Sequence, residues 1–359
     1  MRKHTGVRRI AMVAASLDIL GGQGVQAAAL TRAFESEGVK VDFIPINPRF
    51  PSGLGWARRY PYARTALNQA LFLPRLARLA RADAVHVFSA SYWSFLLHPV
   101  PAMLAARALG RRVVLHYHSG EAEDHLASWG RLVHPWLRLA DAIVVPSDYL
   151  RRVFERHGYH ARVIPNIVDT SRFAYRDRIP LRPRLLSVRN LEPHYRVDDT
   201  LHAFALLRRR RPGITLTIAG YGSEEPRLRR LAAHAGFEGV RFAGRIEPGA
   251  VAALYDDADL FVNSSIVDNQ PVSILEAFAA GLPVVTTATG DIPAMVRHGK
   301  TGMLVPPGEP VRTADAVDAL LADPARALRL ARNARREVER YAWRRVRADW
   351  DEVLFGAAA

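Results

Sequence analysis

The sequence predicts an α/β protein made of two doubly wound, Rossmann-like domains that face a cleft. Short apolar runs alternate with segments of helical periodicity, which is typical of parallel sheets covered by helices on both sides. The pattern stops over residues 165–184, which combine prolines with mixed charge, and then restarts. The length of 359 residues also exceeds the roughly 250 to 300 residues at which single cores stop growing.

Six strands are predicted in each domain. In the first domain they cover 9–16, 41–46, 84–89, 112–117, 141–146 and 162–164; in the second, 184–188, 214–219, 240–243, 260–263, 284–287 and 303–305. Helices are expected near 199–210, 223–235, 249–256, 271–280, 311–322 and 325–340. In the first helix, the apolar face is predicted from Val25, Ala28, Ala29, Phe34 and their neighbours. We expect domains at 1–172 and 173–341, with an amphipathic closing helix, 342–359, joining the first.

Composition excludes several classes of protein. The chain has no cysteine, so disulfides, thiolate metal sites and thiol catalysis are ruled out. No run reaches the roughly 18 apolar residues of a membrane-spanning helix. The opening residues 1–16 resemble a signal peptide only superficially, because their apolar part is short, and we interpret them as leading into the first strand.

The positive charge is concentrated in the front of the chain. The formal net charge is +15, and residues 1–175 carry 23 basic and 12 acidic residues. Residues 49–81 contain seven arginines and no acid, interleaved with Phe50, Trp56, Tyr60 and Tyr62. Such a segment attracts anions, namely lipid headgroups, nucleic acid or a phosphorylated substrate.

Two loops of the first domain are candidates for binding. Glycines at Gly21, Gly22 and Gly24 open the first helix, where backbone N–H groups can approach an anion, although an empty flexible loop fits this motif equally well. His116 and His118 share a strand face, but no third metal ligand has a recognisable spacing. We therefore interpret His118 as a single imidazole facing the cleft and His116 as structural.

The second domain has more polar residues at its predicted strand ends. Arg189, with Arg196 shortly after it, follows the first strand and suits a diphosphate, and ordinary surface solvation is the alternative. Gly220 and Gly222 flank Tyr221 at the end of the next strand.

The most informative segment is 263–285. A strand ends at Asn263, and Pro271 is expected in the first turn of a helix that Gly281 ends. Asp268 and Glu276 are eight residues apart, so both carboxylates can face one ligand. Amides at the helix start favour negative charge while carboxylates accept hydroxyl hydrogen bonds, which suits a sugar joined to a diphosphate.

Taken together, these motifs resemble the family-4 retaining glycosyltransferases of GT-B fold. GGQG, LHYHSGE, PNIVD, RNLEP, AGYGSEE, D-x7-E and GLPVV occur in the family's order along essentially the whole chain. The resemblance implies that the first domain lies on the acceptor side and that the second binds a nucleotide sugar. The implied reaction transfers the sugar to a hydroxyl acceptor, lipid-linked or a polysaccharide precursor, with retention at the anomeric carbon.

The resemblance also implies roles for individual residues. His118 contacts the transferred sugar, Arg189 binds the diphosphate, and Asp268 and Glu276 hold sugar and ribose hydroxyls. The donor-binding set is Gly21, Gly22, Arg196, Gly220, Tyr221, Gly222, Arg245, Ile246, Asn269, Gln270, Pro271 and Val272. Within it, Arg245 and Ile246 fall where such proteins touch the base. The implied reaction needs no metal and no cofactor beyond the UDP- or GDP-linked donor.

The chain departs from the family pattern at two positions. The usual phosphate-binding lysine falls near Tyr195, so either Arg196 substitutes for it or the phosphate is held less tightly. Asp268 replaces the first glutamate of the usual E-x7-E pair and is one methylene shorter. We expect a cytoplasmic protein whose 49–81 segment meets an anionic membrane face or anionic acceptor. The alternatives are a GT-B nucleotide-sugar epimerase and a non-catalytic membrane or nucleic-acid binder.

Overall fold

The computed structural model describes residues 7–16, 22–89, 91–234 and 238–356, and it divides into two compact units. The first unit comprises Met1–Pro165 with Val346–Ala359, and the second comprises Asn166–Arg345. The boundary therefore falls earlier than the predicted residue 172. The reason is local: the N–H of Val168 donates to the Tyr341 carbonyl at 3.0 Å, and the Phe173 ring packs against Tyr255.

The first unit contains a six-stranded parallel sheet in the order β2-β1-β3-β4-β5-β6. Its strands are β1 (Arg9–Ala14), β2 (Lys40–Pro45), β3 (Ala84–Ser89), β4 (Arg112–Tyr117), β5 (Ala142–Val145) and β6 (Ala161–Val163). Its helices are α1 (Gly22–Ser36), α2 (Pro61–Phe72), α3 (Tyr92–Leu97), α4 (Pro99–Ala108), α5 (Ala122–Ser128), α6 (Gly130–Leu137) and α7 (Asp148–Arg156). Short 3₁₀ helices flank α2 at Gly55–Arg59 and Leu73–Arg81.

The second unit contains a parallel sheet in the order β12-β11-β10-β7-β8-β9. Its strands are β7 (Arg184–Val188), β8 (Thr215–Ala219), β9 (Val240–Gly244), β10 (Leu260–Asn263), β11 (Val284–Thr287) and β12 (Met303–Val305). Its helices are α8 (Val197–Arg210), α9 (Glu225–His234), α10 (Val251–Asp257), α11 (Val272–Ala280), α12 (Ile292–Met295), α13 (Pro310–Ala322) and α14 (Pro324–Val338). The doubly wound fold class is thus confirmed, with all twelve strands close to their predicted positions.

Both sheets are buried on two faces. In β7, Leu185 and Leu186 belong to different hydrophobic clusters, because successive side chains of a strand point to opposite faces. In the first unit, one face of the sheet is completed by the final helix α15 (Trp343–Phe355). Its Trp350 is 1% exposed and lies 4.7 Å from the ring of His86, measured between centroids.

The apolar face predicted for α1 is confirmed in part. The buried apolar side chains are Ala27, Leu30 and Phe34, which are spaced three and four residues apart and so share one side of the helix. Of the four residues named for the predicted face, Phe34 is buried, whereas Val25, Ala28 and Ala29 are half-buried. None of the helices in the described ranges is long and apolar enough to cross a membrane.

Candidate functional site

The candidate site of the second unit lies at the point where its strand order reverses. β7 neighbours both β8 and β10, and polar loops follow the carboxyl ends of β7 and β10. Ligands of doubly wound sheets bind at this type of position. The structure therefore places Arg189, which follows β7, and Asp268, which follows β10, at the edge where a ligand is expected.

Arg189 and Asp268 form an ion pair in which the two side chains are only 12% and 9% exposed. The guanidinium also lies over the Tyr195 ring, 4.1 Å from its centre. Burial opposes the charge of Arg189, but Asp268, Tyr195 and Tyr255 together outweigh that effect, and the pKa of Arg189 lies above its ordinary value. Its Nε is buried and has no hydrogen-bond partner among the described residues, so one directed donor is available.

Glu276 lies in the second turn of α11 and is 8% exposed. Its Oε2 accepts a hydrogen bond of 2.7 Å from the Tyr255 hydroxyl. Burial raises the pKa of Glu276 to about 7, although the Tyr255 hydrogen bond acts in the opposite direction. Sequence reasoning missed Tyr255, because it comes from α10, 21 residues earlier, and no motif marks it.

A network of buried side chains supports the loop that carries Asp268. The Asn263 Nδ2 donates to Thr286 Oγ1 at 3.0 Å, and the Ser265 hydroxyl donates to Asn263 Oδ1 at 2.8 Å. The Thr287 hydroxyl donates to the Ser265 carbonyl at 2.5 Å. These bonds connect the ends of β10 and β11 to the loop and hold it in place.

The start of α11 differs in detail from the prediction. Pro271 is the residue before the helix rather than a member of its first turn, and Val272 is the first helical residue. The N–H of Asn269 donates to Asp268 Oδ1 at 3.0 Å. The Gln270 side-chain oxygen accepts from the Asn166 N–H at 2.6 Å, a tertiary contact that the sequence did not reveal.

Three glycines allow backbone segments to approach one another at this edge. A Cβ on Gly220 would lie 1.7 Å from the Arg189 carbonyl oxygen, and one on Gly222 would lie 2.3 Å from the Leu191 carbonyl oxygen. Gly290, which sequence reasoning missed, has φ +54°, and a Cβ there would lie 1.7 Å from the Asp268 carbonyl oxygen. These glycines therefore position the two loops that carry the ion pair.

Residues predicted to bind the rest of a donor lie at the ends of β8 and β9. The Arg245 guanidinium lies 5.8 Å from the centre of the Tyr221 ring, and Ile246 is half-buried. Arg196 has φ 45° at the start of α8 and pairs with Asp199 at 2.8 Å and Asp198 at 3.2 Å. Arg196 thus already has two acidic partners, and its predicted phosphate role stays a prediction.

The first unit places His118 directly after β4, stacked on Phe88 with ring centres 5.2 Å apart. Its Nε2 is buried and without a partner in the described part of the chain, and burial lowers its pKa to about 3. His116 is buried and contacts His86, with Nδ1 and Nε2 3.1 Å apart. The described residues include no group of three His, Asp or Glu side chains that could hold a metal ion, and the structural role of His116 stays a prediction.

The glycine loop of the first unit is only partly described. Gly22 is the first residue of α1, and a Cβ there would meet nothing within 4 Å. Gly21 lies outside the described residues. The Gln23 side-chain nitrogen donates to the Ser89 carbonyl at 3.0 Å, which connects the start of α1 to the end of β3.

Comparison with known proteins identifies the chain's relatives. Residues 20–172 match the family model described as Glycosyltransferase Family 4, and residues 176–337 match Glycosyl transferases group 1. A glycogen synthase of Mycobacterium tuberculosis is 32% identical over 345 residues, covering 90% of this chain and 81% of the relative. The chain belongs to the family-4 glycosyltransferases. It transfers a sugar from a nucleotide sugar, and nothing in the comparisons favours an epimerase or a non-catalytic binder.

Further relatives of this glycosyltransferase agree with that assignment. A GDP-mannose-dependent α-(1-6)-phosphatidylinositol monomannoside mannosyltransferase of Mycolicibacterium smegmatis is 32% identical over 281 residues, covering 70% of this chain and 72% of the relative. Sucrose-phosphate synthase from Thermosynechococcus elongatus superposes with a TM-score of 0.76 at 22% identity, covering 96% and 98% of the two chains. Anabaena HepE, solved with UDP and glucose, superposes with a TM-score of 0.73 at 18% identity, covering 96% of this chain and 98% of HepE. The fold is therefore GT-B.

Proposed function

We propose that this glycosyltransferase retains the anomeric configuration, needs no metal, and binds the pyrophosphate of a UDP- or GDP-linked sugar through Arg189. The observation that carries the proposal is the buried Arg189–Asp268 ion pair at the strand-order reversal of the second unit. A guanidinium held in this way is pre-oriented, and its fork geometry matches two phosphate oxygens.

Donor binding would rearrange this pair. The pyrophosphate competes with Asp268 for the guanidinium, and the unpartnered Nε of Arg189 supplies a further donor. Asp268, once released, accepts hydrogen bonds from sugar hydroxyls. Glu276, held through one oxygen by Tyr255, accepts hydroxyl hydrogen bonds through the other.

The chemical step follows from where charge develops. As the bond to the anomeric carbon breaks, negative charge accumulates on the departing diphosphate. Arg189 and the backbone N–H groups of Gln270 and Val272 at the start of α11 stabilise that charge, which is electrostatic catalysis without a metal. The leaving phosphate oxygen takes the acceptor's proton on the same face of the sugar, so configuration is retained without a covalent enzyme intermediate.

Donor and acceptor classes are proposed from the relatives. The mycobacterial mannosyltransferase is named as GDP-mannose-dependent, and Anabaena HepE was solved with UDP-glucose. We assign His118, uncharged at neutral pH, to a hydroxyl of the transferred sugar. The acceptor is a sugar hydroxyl, free or lipid-linked.

A cytoplasmic membrane face is the proposed location, through the segment 49–81. Trp56, Tyr60 and Tyr62 are 56%, 60% and 92% exposed around α2, and the segment contains seven arginines and no acid. Amphipathic aromatic rings beside cations suit anionic headgroups. Flotation with acidic vesicles at low and high salt tests this surface, and salt-insensitive or absent binding contradicts it.

The central test screens UDP- and GDP-sugars for protection against thermal unfolding, and then assays the stabilising donor for transfer with and without EDTA. A bound donor raises the melting temperature by mass action. NMR of the product's anomeric proton reports retention. Arg312, exposed on α13, supplies a matched control: Arg189→Ala should abolish protection, whereas Arg312→Ala should preserve it. Protection that survives Arg189→Ala contradicts the proposed site.

A further inference from the structure

An aromatic cluster lies at the carboxyl edge of the first unit's sheet. Tyr92 and Trp93 begin α3 shortly after β3 ends, and Trp129 lies between α5 and α6. The Trp93 and Trp129 rings are perpendicular, with centres 5.2 Å apart, and Tyr92 lies 5.6 Å from Trp129. Trp93 is 66% exposed, so one large aromatic side chain of the cluster faces solvent.

The backbone that presents Trp93 is held in an unusual conformation. Tyr92 has φ 57°, and among the described non-glycine residues only Arg196 shares a positive φ. The Tyr92 hydroxyl donates to Asp124 at 2.6 Å, and its ring packs against His125 with centres 5.2 Å apart. A bulky residue keeps such a φ only where its surroundings enforce it, and such residues cluster at functional sites. The turn therefore fixes the position of Trp93.

The cluster also lies at the topological switch of its sheet. β1 pairs with both β2 and β3, so the order of strands reverses beside β3, whose end leads into Tyr92. The Tyr117 hydroxyl bonds to Ser91 Oγ at 2.9 Å and to His125 Nδ1 at 2.7 Å. Since Tyr117 directly precedes His118, the cluster and the candidate catalytic histidine share one edge of the sheet.

The chemistry of the cluster favours one class of ligand. An exposed indole offers an apolar face, while the exposed carboxylate of Asp124 accepts hydrogen bonds beside it, and among the described residues Tyr92 and Ser128 donate to it. A sugar ring needs both features, because its C–H face is apolar and its rim carries hydroxyls. Asp124 and the neighbouring Glu121 would repel an anion, and a lipid tail would leave the carboxylate unused.

We propose that Trp93, Trp129, Tyr92 and Asp124 form a binding subsite for a pyranose ring of a saccharide acceptor. The subsite defines the chemical class of the acceptor in the proposed transfer, which is a saccharide that presents an uncharged ring to the first unit. The inference rests on the proposed function for its role in transfer, whereas saccharide binding itself is measurable without a donor.

The test measures binding of methyl α-D-glucopyranoside, methyl α-D-mannopyranoside and maltoheptaose to the full chain by calorimetry, with and without UDP. Trp93→Ala should weaken the binding of whichever saccharide the wild type binds by roughly tenfold, and Asp124→Asn by less. Leu104→Ala is the control, since Leu104 is an exposed apolar side chain (43%) of the same unit outside both proposed surfaces, and it should bind as the wild type does. Trp93 is exposed, so its truncation leaves the core intact.

Each outcome is decisive. Equal saccharide affinity in Trp93→Ala and wild type, or no saccharide binding by the wild type, overturns the subsite. Loss of association with acidic phosphatidylinositol vesicles in Trp93→Ala, without a change in saccharide affinity, assigns the cluster to a membrane surface instead. Slow hydrolysis of the donor sugar by water, followed in the wild type, monitors the proposed function separately. Failure of that hydrolysis would count against the transferase site rather than the subsite.

Discussion

The two units have closely related parallel sheets but different chemistry at their strand-order reversals. In the second unit the edge carries the charged or titratable side chains of Arg189, Asp268 and Glu276. Arg189 pairs with Asp268, and Glu276 accepts a hydrogen bond from Tyr255. In the first unit the edge carries His118 and the aromatic cluster around Trp93, and burial keeps the imidazole uncharged. The difference corresponds to the two proposed roles: binding of an anionic leaving group by the second unit and of neutral sugar rings by the first.

The largest effect should come from Arg189. Arg189→Met removes the charge that stabilises the leaving diphosphate, and we expect kcat/KM for transfer to fall about 10²- to 10³-fold. Arg196→Met is the paired variant, because Arg196 already pairs with Asp198 and Asp199, and a fall of only a few-fold is expected. Steady-state kinetics with saturating acceptor separate the two. Equal losses would mean that Arg196 binds phosphate as strongly as Arg189.

Glycine substitutions compare the packing of the two edges. Gly290→Ala forces a Cβ against the Asp268 carbonyl at a positive φ, and we expect about 2 kcal/mol of destabilisation together with weaker donor binding. Gly22→Ala meets open space at the start of α1, and its effect on stability should be below about 0.5 kcal/mol. Denaturant unfolding and donor titration measure both effects. If Gly290→Ala changed neither stability nor donor binding, the Asp268 loop would have to move easily enough to accommodate the new Cβ.

The Tyr255→Phe variant tests whether Glu276, in the second unit, is the group whose protonation sets the pH dependence of transfer. Without the Tyr255 hydrogen bond, the pKa of Glu276 rises above about 7 and the carboxylate protonates at higher pH. The acid limb of kcat/KM should therefore move to higher pH, with roughly a tenfold loss at pH 6.5 and near recovery at pH 9. A loss that is uniform across pH would indicate a purely structural role for Tyr255.

The smallest expected effect concerns acid stability of the first unit. His118 has a folded-state pKa of about 3 against an ordinary value of 6.5, so its stabilising contribution is complete above pH 6.5 and is lost as the pH falls toward 3. His118→Asn should reduce the drop in melting temperature between pH 7.5 and 5.5 by roughly 2 °C. Tryptophan fluorescence suits the measurement, because five of the six tryptophans belong to this unit. An unchanged drop would mean that His118 protonates freely in the folded protein.

The contribution of Glu276 to folding stability depends on pH in the opposite direction to that of His118. Its pKa rises from 4.5 to about 7 on folding, so the folded second unit binds the proton more tightly and loses stability as the pH rises across that interval. Lowering the pH should therefore reduce the folding stability of the first unit through His118, whereas protonation of Glu276 should increase that of the second.

Local patterns in the sequence predicted the strands because buried parallel strands are short, uninterrupted apolar runs. The ordered motifs also pointed to Arg189, Asp268 and Glu276, which the structure places on loops and a helix at one edge of the second unit. Tyr255, Asn166 and Gly290 were missed because their importance comes from contacts with residues 21 to 104 positions away. The face of α1 was predicted only in part, because Val25 and several alanines give a weak periodicity and packing, rather than hydropathy, decides which of them are buried.

The position of Trp350 has a consequence for how the chain folds. Its indole covers His86 and His116 on the first sheet, yet it follows the whole second unit in the chain. During synthesis the second unit can therefore reach its native state while one side of the earlier sheet is still uncovered. We expect nascent chains halted after residue 345 to expose that imidazole-lined surface to chaperones until α15 arrives.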